Sequence, residues 1–285
     1  MVYTARLERA SDNAIRPKNE FIEVPFRRLI MRTQCISAIA VSLYAFCGVF
    51  SMAQADELKL KGDVGLGAFS GQSAVRGVHE GVNPFPYIYA DYGRAFGRID
   101  TFGVRTFKMG YGNFELIGRA AFDGFRSKDA LLGHLSERRH SLPLGIGTFQ
   151  KTPIGGFFLY ALQDVGQSKG QIFEATYAAE LPIGKVTAYP MLGVEHRSAA
   201  YNRYYYGLST NELQNSGLAG RMNAYSPNSA TIPQAGLLVD VPLHGAWHLN
   251  LYGRVKWLPN TLKNSPLVER STESSVFAAV TYRFE

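Results

Sequence analysis

Cysteine is nearly missing from this chain. Its two thiols, Cys35 and Cys47, both lie within the first fifty residues, inside a stretch laid out as a secretory leader. Once that leader is removed no disulfide can staple the fold, and thiolate zinc or iron–sulfur sites are excluded. The chain after residue 55 also lacks any sustained 3.6-residue apolar period, so a helical fold is not indicated. It lacks a basic stripe as well. Seven Lys/Arg against four Asp/Glu precede Asp56, so the formal charge of +7 falls to +4 in the remainder, spread along the chain. Nucleic acid is therefore not an expected partner. The glycine-rich "GDVGLGAFSG" is followed by neither a lysine nor a helix, which excludes a phosphate-cradling loop.

What is present begins with the leader. Arg27, Arg28 and Arg32 form a positive region, Cys35 to Met52 an uncharged and mostly apolar run, and "AQA" at 53–55 a small-residue cleavage site. This predicts a signal peptide over 31–55, a mature chain over 56–285, and a leading segment 1–30 foreign to the native product, with Met31 as its start. Phe46 before Cys47 argues against lipidation.

The mature chain alternates with period two. Leu58, Leu60, Val64, Leu66 and Ala68 share one face, opposite Glu57, Lys59, Lys61 and Asp63. At the other end Val276, Ala278, Val280, Tyr282 and Phe284 alternate with polar neighbours. Between these two strands the pattern predicts nine more, over 85–95, 97–108, 112–126, 138–150, 154–165, 171–182, 185–198, 231–242 and 246–257. Turn sequences such as "KMGYGN", "KTPIGG", "LPIGK" and "PLHGAW" separate them. "SKDALLGHLSERR" allows one helical turn in a loop. Strands of this length behind a leader, 13% aromatic residues and an aromatic terminal strand point to the outer membrane of a Gram-negative bacterium. The expected fold is an all-β antiparallel transmembrane β-barrel of 10–12 strands, with 12 preferred because bacterial barrels have even counts. The twelfth strand is sought within 199–230, the alternative being that 85–108 is one long bent strand. The run Tyr204, Tyr205, Tyr206 is read as a strand end, Tyr204 and Tyr206 on one face and Tyr205 on the other, serving an aromatic girdle.

Candidate chemistry is thin. His196 and Ser198 share a strand face in register with the presumed lipid-facing Val186, Ala188, Leu192 and Val194. They form the one pair resembling the His-x-Ser of outer-membrane lipid hydrolases. A serine nucleophile needs a base and a third group to orient that base, and no orienting residue is identified. The other histidines are scattered, and no metal or cofactor is expected. "ERRH" at 137–140 is a basic cluster on a solvated loop, and facing outward it would meet lipopolysaccharide phosphates.

"YYYGLSTNELQNSGLAG", "AYSPNS", "HLNLYGRVKWLPNTLKNSPLVE" and the final "VFAAVTYRF" together resemble the MipA/OmpV family of outer-membrane proteins. "GDVGLGAF" and "PYIYADYGRAF" match that family's first two strands. Asn264 and Leu208 stand where the family shows Asp and Val. The resemblance implies a scaffold that links a lytic transglycosylase to a murein synthase, or else an adhesin or stress-responsive barrel. It supplies no catalytic residues. The motif residues Tyr205, Tyr206, Gly207, Ser265 and Pro266 are expected to shape loops. Polar, tyrosine-rich loops suit protein recognition, which points to a non-enzymatic binding protein. The alternatives are a narrow channel or ligand-binding barrel, an adhesin, and the lipid hydrolase.

Overall fold

The structure, a computed structural model, describes residues 58–78 and 81–285. The predicted leader and leading segment lie outside the described residues. Twelve antiparallel strands form one closed ring: β1 (Leu60–Gln72), β2 (Asn83–Tyr92), β3 (Ala95–Arg98), β4 (Thr101–Met109), β5 (Gly112–Arg119), β6 (Pro143–Thr152), β7 (Gly155–Asp164), β8 (Gln171–Ala178, resumed at Leu181–Ile183), β9 (Val186–Arg197), β10 (Ala230–Pro242), β11 (Trp247–Trp257) and β12 (Thr272–Phe284). The ring closes where β12 pairs with β1, Gly62 opposite Phe284 and Leu66 opposite Val280. Followed once around the ring, the register returns to β1 displaced by about 16 residues, which tilts the strands by roughly 45°.

Register assigns every side chain to lipid or lumen. Leu66, Leu116, Leu192, Leu251 and Val276 point outward and are exposed, while Asp63, Glu115, Glu195 and Asp240 point inward and are buried. Closure pairs the strands on both sides over most of their length, so most of the backbone satisfies itself in hydrocarbon. Proline marks where the ladder breaks. Pro190 of β9 faces the interruption between the two parts of β8, where its carbonyl accepts from Ala179 N at 3.0 Å. Having no N–H, it cannot continue the ladder there.

The twelfth strand does not lie within 199–230, and 85–108 is not one long bent strand. Residues 85–108 hold three strands rather than two, because β3 has only four residues. It is flanked by Gly93 at φ 58° and Ile99 at φ 62°. Residues 199–230 contain helices instead: α1 (Ala199–Tyr206) and α2 (Thr210–Asn215), joined later in the chain by α3 (Asn260–Lys263). A 3₁₀ turn at Leu132–His134 supplies the helical turn expected in "SKDALLGHLSERR".

Both chain ends of the barrel and the short turns at 93–94, 110–111, 153–154, 184–185 and 243–246 lie at one end. The long connections 73–82, 120–142, 198–229 and 258–271 lie at the other. Short turns face the periplasm and long loops the exterior in such barrels, so this chain has a periplasmic turn end and an outer loop end.

Candidate functional site

The lumen is bridged by charges. Arg98 of β3 makes a bidentate pair with Glu115 of β5 at 2.8 and 2.7 Å, and its guanidinium lies 4.1 Å from the Phe96 ring centre. Arg119 reaches from β5 to Glu174 of β8 at 2.7 Å. Glu195 of β9 holds both Arg197 at 2.5 Å and Lys256 of β11 at 2.9 Å. Near the turn end Arg283 clasps Asp63 and Asp240, each at 2.7 Å, and His248 lies 2.7 Å from Asp240. These pairs span several strands, so they bridge the interior at their own levels, while the inward rings of Phe69, Phe85, Tyr252 and Phe277 stay partly exposed. A Cβ at inward-facing Gly147 would come within 2.3 Å of the Tyr160 ring.

Above the lumen, the outer loops fold into a cap whose apolar core continues into the barrel through Leu162, Ile172 and Ile232. Ala74, Leu132, Leu208, Leu213, Leu218, Leu262 and Leu267 are all buried there with Tyr201, Tyr205 and Tyr206. This corrects the strand-end reading of the tyrosine run. Residues 199–206 are helical, Tyr201 and Tyr205 fall on one face at the i, i+4 spacing, and their rings are 4.8 Å apart. Ser198 as N-cap and Gly207 after the last turn are the local signals for that helix. The girdle at the turn end comes instead from Tyr92, Tyr111, Trp247, Tyr282 and Phe284, all exposed.

Each hydroxyl of the tyrosines at 201 and 204–206 is occupied. Tyr205 donates to the Arg139 carbonyl at 2.9 Å, Tyr206 to Glu273 at 2.6 Å, and Tyr201 to Asp123. Tyr204 accepts from Arg139 N at 2.9 Å. Burial pushes the Tyr205 and Tyr206 phenols well above their ordinary range, with Asp123 and Glu273 acting in the same direction. Arg138 of "ERRH" is buried rather than solvated. It grips Glu212 of α2 at 2.8 and 2.9 Å and donates to the Gly207 carbonyl at 3.2 Å, while Arg139 and His140 remain exposed. The Asp129 carboxyl is held below its usual range by the N–H groups of Leu131 and Leu132.

The family-motif residues meet in this cap. Ser265 donates from Oγ to the Tyr206 carbonyl at 2.6 Å and accepts from Leu267 N at 3.2 Å. Pro266 sits at the second position of a turn closed by Val268 N to Ser265 O at 3.0 Å. At Gly207 an added Cβ would lie 2.3 Å from the Arg203 carbonyl. His196 lies on the lipid-side register of β9, Ser198 just past the end of that strand, and each has another partner. His196 Nδ1 is 2.9 Å from Thr231 Oγ1, and Ser198 Oγ accepts from Gln171 N at 2.9 Å while capping α1. Among the described residues no cluster of His, Cys, Asp or Glu is placed to hold a metal ion.

The turn end offers a different surface. This end carries Tyr111, Ile154, Ile183 and Leu243, exposed by 69%, 71%, 64% and 55%, with Lys108 and Lys151 near the adjoining strand ends and Lys185 on a turn. A surface this apolar reaches into headgroups or meets a partner.

Known proteins share this pattern. The chain is 26% identical over 225 residues to the outer membrane protein YiaT of Escherichia coli (strain K12), covering 78% of this chain and 90% of that protein. It is 28% identical over 166 residues to the MltA-interacting protein of the same strain, covering 56% and 64%. It is 22% identical over 151 residues to the outer membrane protein OmpV of Vibrio cholerae, covering 53% and 57%. None of these names is that of an enzyme. The family model described as MltA-interacting protein MipA matches residues 64–284. With its closed barrel, this chain is an outer-membrane protein and belongs to the MltA-interacting protein MipA family.

Proposed function

We propose that this barrel is a non-enzymatic binding protein whose working face is the periplasmic turn end, where it tethers a murein-remodelling enzyme to the outer membrane. The observation that carries the reading is the contrast in how apolar and tyrosine side chains are spent. Tyr201, Tyr205 and Tyr206 are consumed inside the cap at 4% exposure or less, so the loop tyrosines expected to recognise a partner are not free to do so. At the turn end Tyr111, Ile154, Ile183 and Leu243 are free, and lysines flank them. Large apolar side chains of this kind anchor interfaces, with a charged rim setting specificity. The name of the MltA-interacting protein relative supports a murein hydrolase as the partner.

Photo-crosslinking residues placed at Tyr111 and Ile154 in intact cells, with Arg221 in the cap as comparison, test the proposal. Capture of a murein hydrolase or synthase from the turn end alone is the expected result. Capture from the cap alone moves the working face outward and makes the protein an adhesin. A Ser198→Ala variant that loses a measured lipid-hydrolysing activity ends the binding reading.

A further inference from the structure

The ring of strands has one low place. β3 ends at Arg98, and the chain turns back through Ile99 and Asp100 into β4. Ile99 N donates to the Ile88 carbonyl at 2.7 Å, the last bond on that side of β2. Beyond it β2 continues to Asn83, paired with β1 through Pro86 opposite Leu66 and Pro84 opposite Ala68, and no strand among the described residues lies on its other flank. Across the gap the chain leaves β5 at Arg119, Ala120 N donating to the Asp100 carbonyl at 2.8 Å. The opening is closed above, where Lys128 N donates to the Gly77 carbonyl at 2.8 Å and Ser127 Oγ to the Arg76 carbonyl at 2.7 Å. The result is a window in the lipid-facing wall, in the half nearer the outer surface.

The sequence of β2 is fitted to that opening. Backbone groups alternate sides along a strand, and the Ile88 carbonyl points toward β3, so residues 86 and 84 point to the open flank. Both are proline. An N–H at either place would be left unpaired in hydrocarbon, and proline has none to leave. Inside the window the charged lumen gives way to rings. Phe122 lies 5.3 Å from Phe69, Phe69 5.9 Å from Phe85, Phe85 5.3 Å from Phe277, and Phe277 stacks on Tyr252 at 4.8 Å. Phe122, at the margin, is half exposed. The segments that close the window above carry Arg76 and Lys128, cations suited to phosphate, beside Arg126, which pairs with Glu137 at 2.9 Å.

We propose that this window admits the acyl chain of an anionic phospholipid-type molecule from the surrounding leaflet into the aromatic side of the lumen, its phosphate held by the cations above. The occupant follows from position: the opening faces the bilayer, where acyl chains are the ligand at hand, and cations lie at headgroup height. The test uses the full mature chain with Trp247→Phe and Trp257→Phe, carrying one reporter and folded into vesicles of brominated-chain phosphatidylglycerol. Heat-modifiable gel mobility verifies folding. Phe85→Trp, which faces the lumen, is expected to lose most of its emission, while Phe158→Trp, on the far lumen wall, keeps it. Phe69→Trp repeats the reading should Phe85→Trp fail to fold. Emission from both reporters that stays full, while lipid-facing Leu66→Trp is quenched, overturns the proposal. Equal quenching by brominated phosphatidylcholine overturns the anionic headgroup requirement.

Discussion

The loop end and the turn end of this barrel are built from the same twelve strands yet spend their side chains in opposite ways. At the loop end, four long connections bury leucines and tyrosines against one another and satisfy the hydroxyls of Tyr201 and Tyr204–Tyr206 within the chain. At the turn end, two- to four-residue turns bury little and leave aromatic and aliphatic tips exposed. A loop long enough to form helices can make a core of its own, whereas a two-residue turn cannot, so its side chains face outward to lipid, water or a partner. The difference teaches that tyrosine content alone does not mark a binding surface. What matters is whether the backbone carrying the ring is long enough to fold back on it.

The strongest way to break the comparison is to remove Arg138, the cation that ties α2 to the 120–142 loop. Arg138→Ala leaves Glu212 without its buried partner and is expected to cost about 3–5 kcal/mol. Proteolysis should then cut within 199–230 while the barrel still migrates as a heat-modifiable band. If barrel and cap are lost together, the two ends are one cooperative unit. Gly207→Ala comes next, since the new Cβ must displace the Arg203 carbonyl. Overpacking of this kind costs about 1–3 kcal/mol, read as the shift in the urea midpoint for cap proteolysis.

A pH test sharpens the same contrast. The folded cap holds Tyr205 and Tyr206 protonated well past the point where an unfolded tyrosine, with its pKa of about 10, lets go. Their contribution is therefore complete below about pH 10 and declines as pH rises beyond it, by about 1.4 kcal/mol per pH unit for each tyrosine. Cap proteolysis should accelerate above that pH before heat-modifiable mobility is lost, and Tyr206→Phe should flatten the slope. An unchanged slope means that Tyr206 does not govern alkaline opening. The smallest effect belongs to the turn end. Tyr111→Ser should change stability by about 0.5 kcal/mol or less in urea unfolding, while reducing capture of a partner by a crosslinker at Ile154. A large stability loss would show that Tyr111 serves the barrel rather than a partner.

Much of the barrel was legible because strand periodicity is a local property. Leu60, Val64 and Leu66, or Val276, Val280 and Phe284, declare their outward face within a dozen residues, and "KTPIGG" or "PLHGAW" declare the turns between strands. The lipid-side register of His196 was legible for the same reason. The short β3 was not, since four residues are too few for a pattern and the turn at Ile99 carries no glycine or asparagine to announce its positive φ. The helix over 199–206 was announced faintly by Ser198 and Gly207, but "YYY" speaks for a strand by propensity, and only burial against Leu262 and Leu267, sixty residues away, reversed it.

Sequence by itself thus determined that the chain alternates, that it belongs in a membrane by its strands, and which residues share a face in the first strand, the last strand and 186–194. Those facts depend on neighbours in the chain. Tertiary structure alone decided which charges pair across the lumen and that the outer tyrosines are buried. It also decided that Pro84 and Pro86 border an opening instead of merely interrupting a strand. Each of these depends on residues far apart in sequence that closure of the ring brings together, and no local pattern encodes such meetings.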